Sequence, residues 1–165
     1  MTAADPPRSF ESFFDDERKR LLRALFLLTG NAEEAEEILQ DAFLALWERW
    51  DRVAAMDDPT GYLYRTAMNR HRSLARRSAR AARRAIGQAH GGDLFAEADE
   101  RDAVARALAR LTPRRRQAVV LMELLGYSSV EASRVMRVSD ATVRRLAQDA
   151  RAALRAVLEG DDDDG

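Results

Sequence analysis

From Ala32 to Trp50 the apolar residues Ala32, Ala35, Ile38, Leu39, Ala42, Phe43, Leu46, Trp47 and Trp50 recur, from Ala35 onward, in the pattern i, i+3, i+4, i+7, i+8. That spacing lines them along one side of a 3.6-residue helix; a strand, with its period of two, would scatter them over both faces. The opposite side carries Glu33, Glu37, Gln40, Asp41 and Glu48. A helix divided in this way must bury its apolar face against other elements, so the segment commits its surroundings to helix packing. The rest of the chain agrees. Ala, Leu, Arg and Glu dominate, Ile and Thr are sparse, and no alternating strand pattern occurs. The expected fold class is all-α.

Helix punctuation divides the chain. A first helix is expected over about 9–29, with Phe10, Phe13, Phe14, Leu21, Leu25 and Leu28 at helical spacing and Gly30 just past its end. Asn31 with Glu34 three residues on opens the second helix, which runs to about Trp50. A loop is expected over 51–58. Asp58-Pro59 then starts a third helix reaching about Arg84. Residues 85–100 hold Gly87, Gly91, Gly92 and an acidic cluster, and read as a linker. Two small helical domains follow from this, 9–84 and 101–159, with an acidic, disordered tail at 160–165. In the second domain Ser128 or Ser129 caps a short helix to Met136. Residues 137–139 form a turn, and Ser139 caps a final helix to about Leu158. Short helix, short turn and longer helix make a helix-turn-helix.

The near-neutral net charge of −1 hides opposed blocks. Residues 1–60 hold 7 basic and 14 acidic groups, and residues 61–90 hold 8 Arg and no acid. Such segregation suits several charged partners. With no Cys in 165 residues there is no disulfide or thiolate site, and a reducing cytoplasm is the expected setting. No run of about 18 apolar residues occurs, so neither a membrane span nor membrane contact is expected. Met1 to Pro7 lack the pattern of a secretory signal.

Arg65, Asn69, Arg72, Arg76, Arg80 and Arg83 follow one another at steps of four, three, four, four and three, forming a cationic stripe on the third helix. Arg recognises phosphates in a bidentate way and Asn can read a base edge. Tyr62 and Tyr64 could stack on unpaired bases or serve as core residues. In the helix-turn-helix, Thr142, Arg144, Arg145 and Gln148, with Arg151 further along, are placed to enter a major groove. The alternative there is a plain helical hairpin packed on something else. Catalysis finds little support: there is no phosphate-binding Gly loop, HExxH or nucleophile elbow. Glu33, Glu34, Glu36 and Glu37 lack convergent His, so no catalytic residue, cofactor or metal is expected.

In order, these pieces resemble a bacterial sigma-70 family RNA polymerase sigma factor of the extracytoplasmic-function (ECF) group, and most nearly its short actinobacterial SigE-like members. The resemblance covers about 10–158. Residues 30–47, Gly-Asn-Ala-Glu-Glu-Ala-Glu-Glu-Ile-Leu-Gln-Asp-Ala-Phe-Leu-Ala-Leu-Trp, are similar to the family's region 2.2 helix, whose polar face docks on the β′ clamp helices of the polymerase. Residues 59–69, Pro-Thr-Gly-Tyr-Leu-Tyr-Arg-Thr-Ala-Met-Asn, resemble the family's P-x-x-W-L-x-R-x-A-x-N segment, with Tyr62 in the Trp position. Residues 107–116, Gly126-Tyr-Ser128, Glu131, 139–143 and 150–155 resemble region 4. The family's turn Gly is Arg137 here, and its later recognition-helix cations fall at Leu146 and Asp149.

The resemblance implies a protein that binds core RNA polymerase and directs promoter-specific initiation. Glu37, Gln40 and Asp41 would dock on the β′ clamp helices. Tyr62, Arg65, Asn69, Arg72, Arg76 and Arg80 would meet the −10 element. Thr142, Arg144, Arg145, Gln148 and Arg151 would meet the −35 element. The implied partners are core polymerase (β′ clamp helices and β flap), promoter DNA and an anti-sigma factor; the chain would be cytoplasmic and not an enzyme. The alternatives are a stand-alone helix-turn-helix regulator, or a sigma-like decoy that binds polymerase without initiating.

Overall fold

The computed structural model describes residues 8–84 and 102–161; the linker and most of the acidic tail expected from the sequence lie outside them. Every described element is helical, in the order α1 (Phe10–Thr29), α2 (Ala32–Trp47), α3 (Trp50–Ala54), α4 (Pro59–Arg84), α5 (Ala103–Ala109), α6 (Pro113–Val119), α7 (Ser129–Met136) and α8 (Asp140–Asp161). A π-helical turn, Val120–Leu124, continues α6. The sequence predicts a loop over 51–58, where α3 forms. π-turns and five-residue helices carry too little periodicity to show in a sequence.

The helix ends follow their sequence signals. Ser9 accepts from the Ser12 N–H at 3.2 Å and Asn31 from the Glu34 N–H at 2.9 Å, each satisfying an orphan donor of a first turn. Gly30 takes φ 68°, the left-handed conformation that closes α1 at little cost without a Cβ. Ser128 and Glu131 form a reciprocal capping box on α7.

α1, α2 and α4 pack on one another around Phe13, Leu21, Leu25, Ile38, Leu46, Leu63 and Met68, all almost fully buried. α6, α7 and α8 pack around Leu121, Ala132, Val143, Ala147 and Ala150. These two groups are not separate bodies. α1 packs against α6 and the π-turn, α4 against α7, and the buried apolar residues of both groups join in one cluster. Burying that shared surface stabilises two units that are each small for independent folding.

Within the second group, Arg116 is only 4% exposed. Its Nε donates to the Leu108 carbonyl at 3.2 Å and its Nη2 to the Leu111 carbonyl at 3.3 Å, satisfying acceptors at the end of α5. Burial pushes its pKa down, and these bonds offset part of the cost of burying the cation.

Candidate nucleic-acid and partner-docking surfaces

The cationic stripe is positioned from the start of α4. Asp58 accepts the Gly61 N–H at 2.8 Å, and a Cβ at Gly61 would collide with that carboxylate. Glu17 of α1 accepts the Thr60 hydroxyl at 3.0 Å and the Tyr64 hydroxyl at 2.8 Å, fixing the rotation of α4. Tyr64 is therefore a core residue, its pKa raised by burial and by the bond to Glu17. Tyr62 is half-buried and packs against the core.

Arg65 and Asn69 are exposed, and Arg76 and Arg80 continue exposed along the same helix. Arg72 differs from them. Its Nη2 donates to Asn69 Oδ1 at 2.9 Å and its Nη1 to the Val135 carbonyl of α7 at 2.9 Å. Burial lowers its pKa, and the neighbouring charges of Arg137 and Arg76 lower it further. Arg65, Asn69 and Arg72 thus form one wall of a cavity of about 350 Å³, with Tyr127, Glu131 and Val135 of the second group opposite. Of the residues expected at the −10 element, Arg65, Asn69 and Arg72 line the side toward the helix-turn-helix, and Arg76 and Arg80 lie beyond it, exposed.

On α8, Ser139 accepts the Thr142 N–H at 3.1 Å, so Thr142 sits in the first turn. Arg144, Arg145 and Gln148 are exposed. Arg144 pairs with Asp140 at 3.2 Å. Arg151 grips Glu123 Oε1 with Nη2 at 2.5 Å and Nε at 2.8 Å. Arg144, Gln148, Arg151 and Arg155 line one shallow groove with Met122. Asp149, in place of a cation, is turned to Arg115 at 3.4 Å.

On α2, Glu37 and Gln40 are exposed and Asp41 is partly exposed. Burial pushes the Glu34 carboxyl up, helped by the like charge of Glu37. The helical stripe predicts Trp47 as a core residue, and the structure corrects this. Trp47 is 54% exposed, its ring only edging onto Phe10 at 4.9 Å, and Leu44 is 58% exposed. Gln40, Leu44 and Trp47 follow at steps of four and three, so one side of α2 offers two large apolar groups beside acidic and polar ones.

Arg20, Arg23 and Asp102 form the bonds that sequence reasoning misses. Arg20 donates to the Leu124 carbonyl through Nη2 at 2.8 Å and Nε at 3.1 Å. Arg23 grips Asp102 through Nη1 at 2.6 Å and Nη2 at 2.9 Å. No motif announces partners 104 and 79 residues away.

The sigma-70 region 2 family model matches residues 13–81 and the sigma-70 region 4 model matches 101–154. Together they span most of the chain. The chain is 28% identical over 156 residues to the ECF RNA polymerase sigma factor SigM of Mycobacterium tuberculosis, covering 91% of this chain and 77% of that one. It is 27% identical to the RNA polymerase sigma-E factor of Streptomyces avermitilis, covering 93% and 87%. Among solved structures it resembles the sigma factor RpoE in complex with the anti-sigma factor NepR from Bartonella quintana, with a TM-score of 0.67, 19% identity and 90% and 98% of the chains covered, a likeness of fold. It also resembles CnrH in complex with the cytosolic domain of CnrY, with a TM-score of 0.58, 26% identity and 92% and 88% covered. Two region models in their family order, on a helical scaffold of the same fold, place the chain in the sigma-70 family of RNA polymerase sigma factors, within its extracytoplasmic-function group.

Proposed function

We propose that this sigma factor docks on core RNA polymerase through the exposed side of α2 and engages promoter DNA through α4 and α8. The observation that carries the reading is the segregation of charge over the fold. Glu37, Gln40 and Asp41 surround exposed Leu44 and Trp47 on α2, a surface suited to a basic, partly apolar protein face. Arg65, Asn69, Arg72, Arg76 and Arg80 lie on α4, in a stretch without a single acid, where a polyanion is the fitting partner. Tyr62, half-buried at the head of that stripe, offers part of an aromatic ring to an unstacked base. Thr142, Arg144, Arg145, Gln148 and Arg151 sit on the recognition helix and would read a −35 element in the major groove.

In this reading residues 9–84 act at the −10 element, 101–159 at the −35 element, and 85–100 link the two. The polymerase makes every phosphodiester bond, so the chain itself is not an enzyme and works in the cytoplasm beside the polymerase. An anti-sigma factor is a fitting further partner, as RpoE of Bartonella quintana is found with NepR. Run-off transcription with sigma-free core polymerase on pooled genomic fragments tests the reading: transcripts with defined starts are expected. Core binding without transcripts would instead support the decoy reading, which draws on the engagement of Arg144 and Arg151 with Asp140 and Glu123.

A further inference from the structure

The cavity between α4 and α7 holds more positive charge than negative. Four guanidinium groups line it, those of Arg20, Arg65, Arg72 and Arg134, against the carboxylates of Asp58 and Glu131. Both carboxylates are engaged in helix caps: Asp58 accepts the Gly61 N–H at 2.8 Å and Glu131 the Ser128 N–H at 2.8 Å. Among the described residues, Arg65 and Arg134 enter no ion pair. Two polar groups of the lining lack partners as well. Arg72 uses Nη1 and Nη2 on Val135 and Asn69 and leaves Nε buried and unbonded, with the charges of Arg137 and Arg76 close by. The Tyr127 hydroxyl is also buried without a partner. It lies in the field of Arg65, Glu131 and Asp58, all residues of the cavity, and burial pushes its pKa up to about 12. At neutral pH it is therefore a proton donor with no acceptor, a costly state for a buried hydroxyl.

We propose that this cavity is a binding site for a small phosphate-bearing molecule, whose phosphate group is taken by the Tyr127 hydroxyl and the guanidinium groups of Arg65, Arg72 and Arg134. A phosphate dianion matches the excess of two positive charges in the lining, and its oxygens can accept from several donors at once. It would give the Tyr127 hydroxyl an acceptor and set a negative charge beside Arg72, whose charged neighbours are cations. At about 350 Å³ the cavity stands at the lower end of ligand pockets, ~300–1,000 Å³, which suits a free phosphate or a monoester of nucleotide size. Both carry the same recognition chemistry, and the test distinguishes them. The proposal stands on the donors of the cavity and does not depend on the DNA role proposed for α4.

Isothermal titration calorimetry of the full chain, at low salt in a phosphate-free buffer, measures binding of inorganic phosphate, AMP and, as an uncharged control, adenosine. Saturable binding of an anion at a single site is expected, with none for adenosine. Tighter binding of AMP assigns a monoester, and tighter binding of phosphate assigns the free ion. Tyr127→Phe shows whether the cavity is the site. It removes a hydroxyl that has no partner, so the free variant should unfold at or above the wild-type Tm. Its affinity for the anion should fall by about tenfold or more, as for one lost hydrogen bond to a charged group. Arg134→Ala, exposed at the cavity, should weaken binding in the same way. Arg77→Ala, exposed on α4 outside the cavity, should leave it unchanged. Absence of binding by both anions would overturn the site. A folded Tyr127→Phe variant that binds as the wild type does would overturn it too. Equal weakening by Arg77→Ala and Arg134→Ala would place the anion on the outer surface of α4 and overturn it likewise.

Discussion

Arg23 holds Asp102 in a two-pronged ion pair of 2.6 and 2.9 Å, and the Oδ1 atom it grips also accepts the Ala105 N–H at 3.0 Å. One carboxylate therefore caps α5 and ties it to α1. The Arg23 guanidinium, more than any other group, holds the Asp102 carboxyl below its usual range.

Asp102→Asn keeps an oxygen for the cap and removes the charge. It should cost less than about 1 kcal/mol, because Arg23 is substantially exposed and water screens the pair. Asp102→Ala loses cap and pair together and should cost about 1–2 kcal/mol. Urea unfolding of both variants checks this, and equal losses would mean that the cap contributes nothing. Because the carboxyl is depressed in the folded chain, its contribution is present above about pH 3.8, its ordinary value, and is lost as pH falls through the folded value.

The exposed side of α2 gives a second expectation. Leu44 and Trp47 leave about half their surface in water, so Leu44→Ala and Trp47→Ala should cost the isolated protein little, under about 1 kcal/mol each. Core-polymerase affinity should fall by about tenfold or more for each, as for central apolar anchors of an interface. Gln40→Ala with Asp41→Lys should weaken the same complex by placing a cation on the docking face. Affinity of labelled protein for core polymerase decides it; unchanged values would remove α2 from the docking surface.

Arg72→Glu with Arg76→Glu should abolish promoter opening and leave core binding intact. For every phosphate that a substitution leaves without its cation, the slope of log affinity against log salt should become shallower by about 0.9 on duplex DNA. Permanganate footprinting on a promoter found by run-off transcription reads opening directly. Opening that survives both substitutions would show that the cations of α4 do not meet DNA.

Much of this molecule was legible because its signals are local. The stripe on α2, Gly30, the Asn31 cap, Asp58-Pro59 and the Ser128 capping box lie within a few residues of what they determine, and each is where periodicity and capping chemistry put it. Trp47 escaped because a helical stripe gives direction and not depth: α2 ends at that residue, and the chain turns into α3 without covering it. Arg72 falls on the expected face, but its partner Val135 is 63 residues away and is a backbone carbonyl, which no sequence pattern marks. The partners of Arg20 and Arg23 are likewise distant, 104 and 79 residues away.

His71 provides a pH dependence. Burial lowers its pKa and the Arg116 charge lowers it further; its Nδ1 is buried without a hydrogen-bond partner. Folded His71 therefore stays neutral at a pH where the unfolded chain, with its ordinary value of 6.5, has taken up a proton. The unfolded state then binds more protons, so stability is full above about pH 6.5 and falls as pH drops toward the lowered folded value. His71→Leu should flatten that decline between pH 7.5 and 5.5. Urea midpoints at both pH values test it, and an unchanged slope would assign the dependence to another group.

Arg137 closes α7 in the left-handed region, at φ 55° and ψ 45°, where its N–H donates to the Ser133 carbonyl. For an L-residue that conformation costs about 1–2 kcal/mol, and Gly avoids the cost while losing about 0.5–1 kcal/mol of chain entropy on folding. The difference favours Arg137→Gly by about 0.5–1 kcal/mol, a rise in Tm of about 1–4 °C for a chain of this length. A second effect has the same sign. The Arg137 charge lowers the pKa of Arg72, so removing it eases the packing of Arg72 against α7. Arg137→Ala separates the two, since it removes the charge and keeps the strained backbone. Thermal unfolding should rank Arg137→Gly above Arg137→Ala; the reverse order would show that the turn is not strained by its side chain. If the charge effect contributes as well, Arg137→Ala should fall between the wild type and Arg137→Gly, and at low salt it should move further from the wild type, because screening of the Arg72–Arg137 repulsion is then weakest.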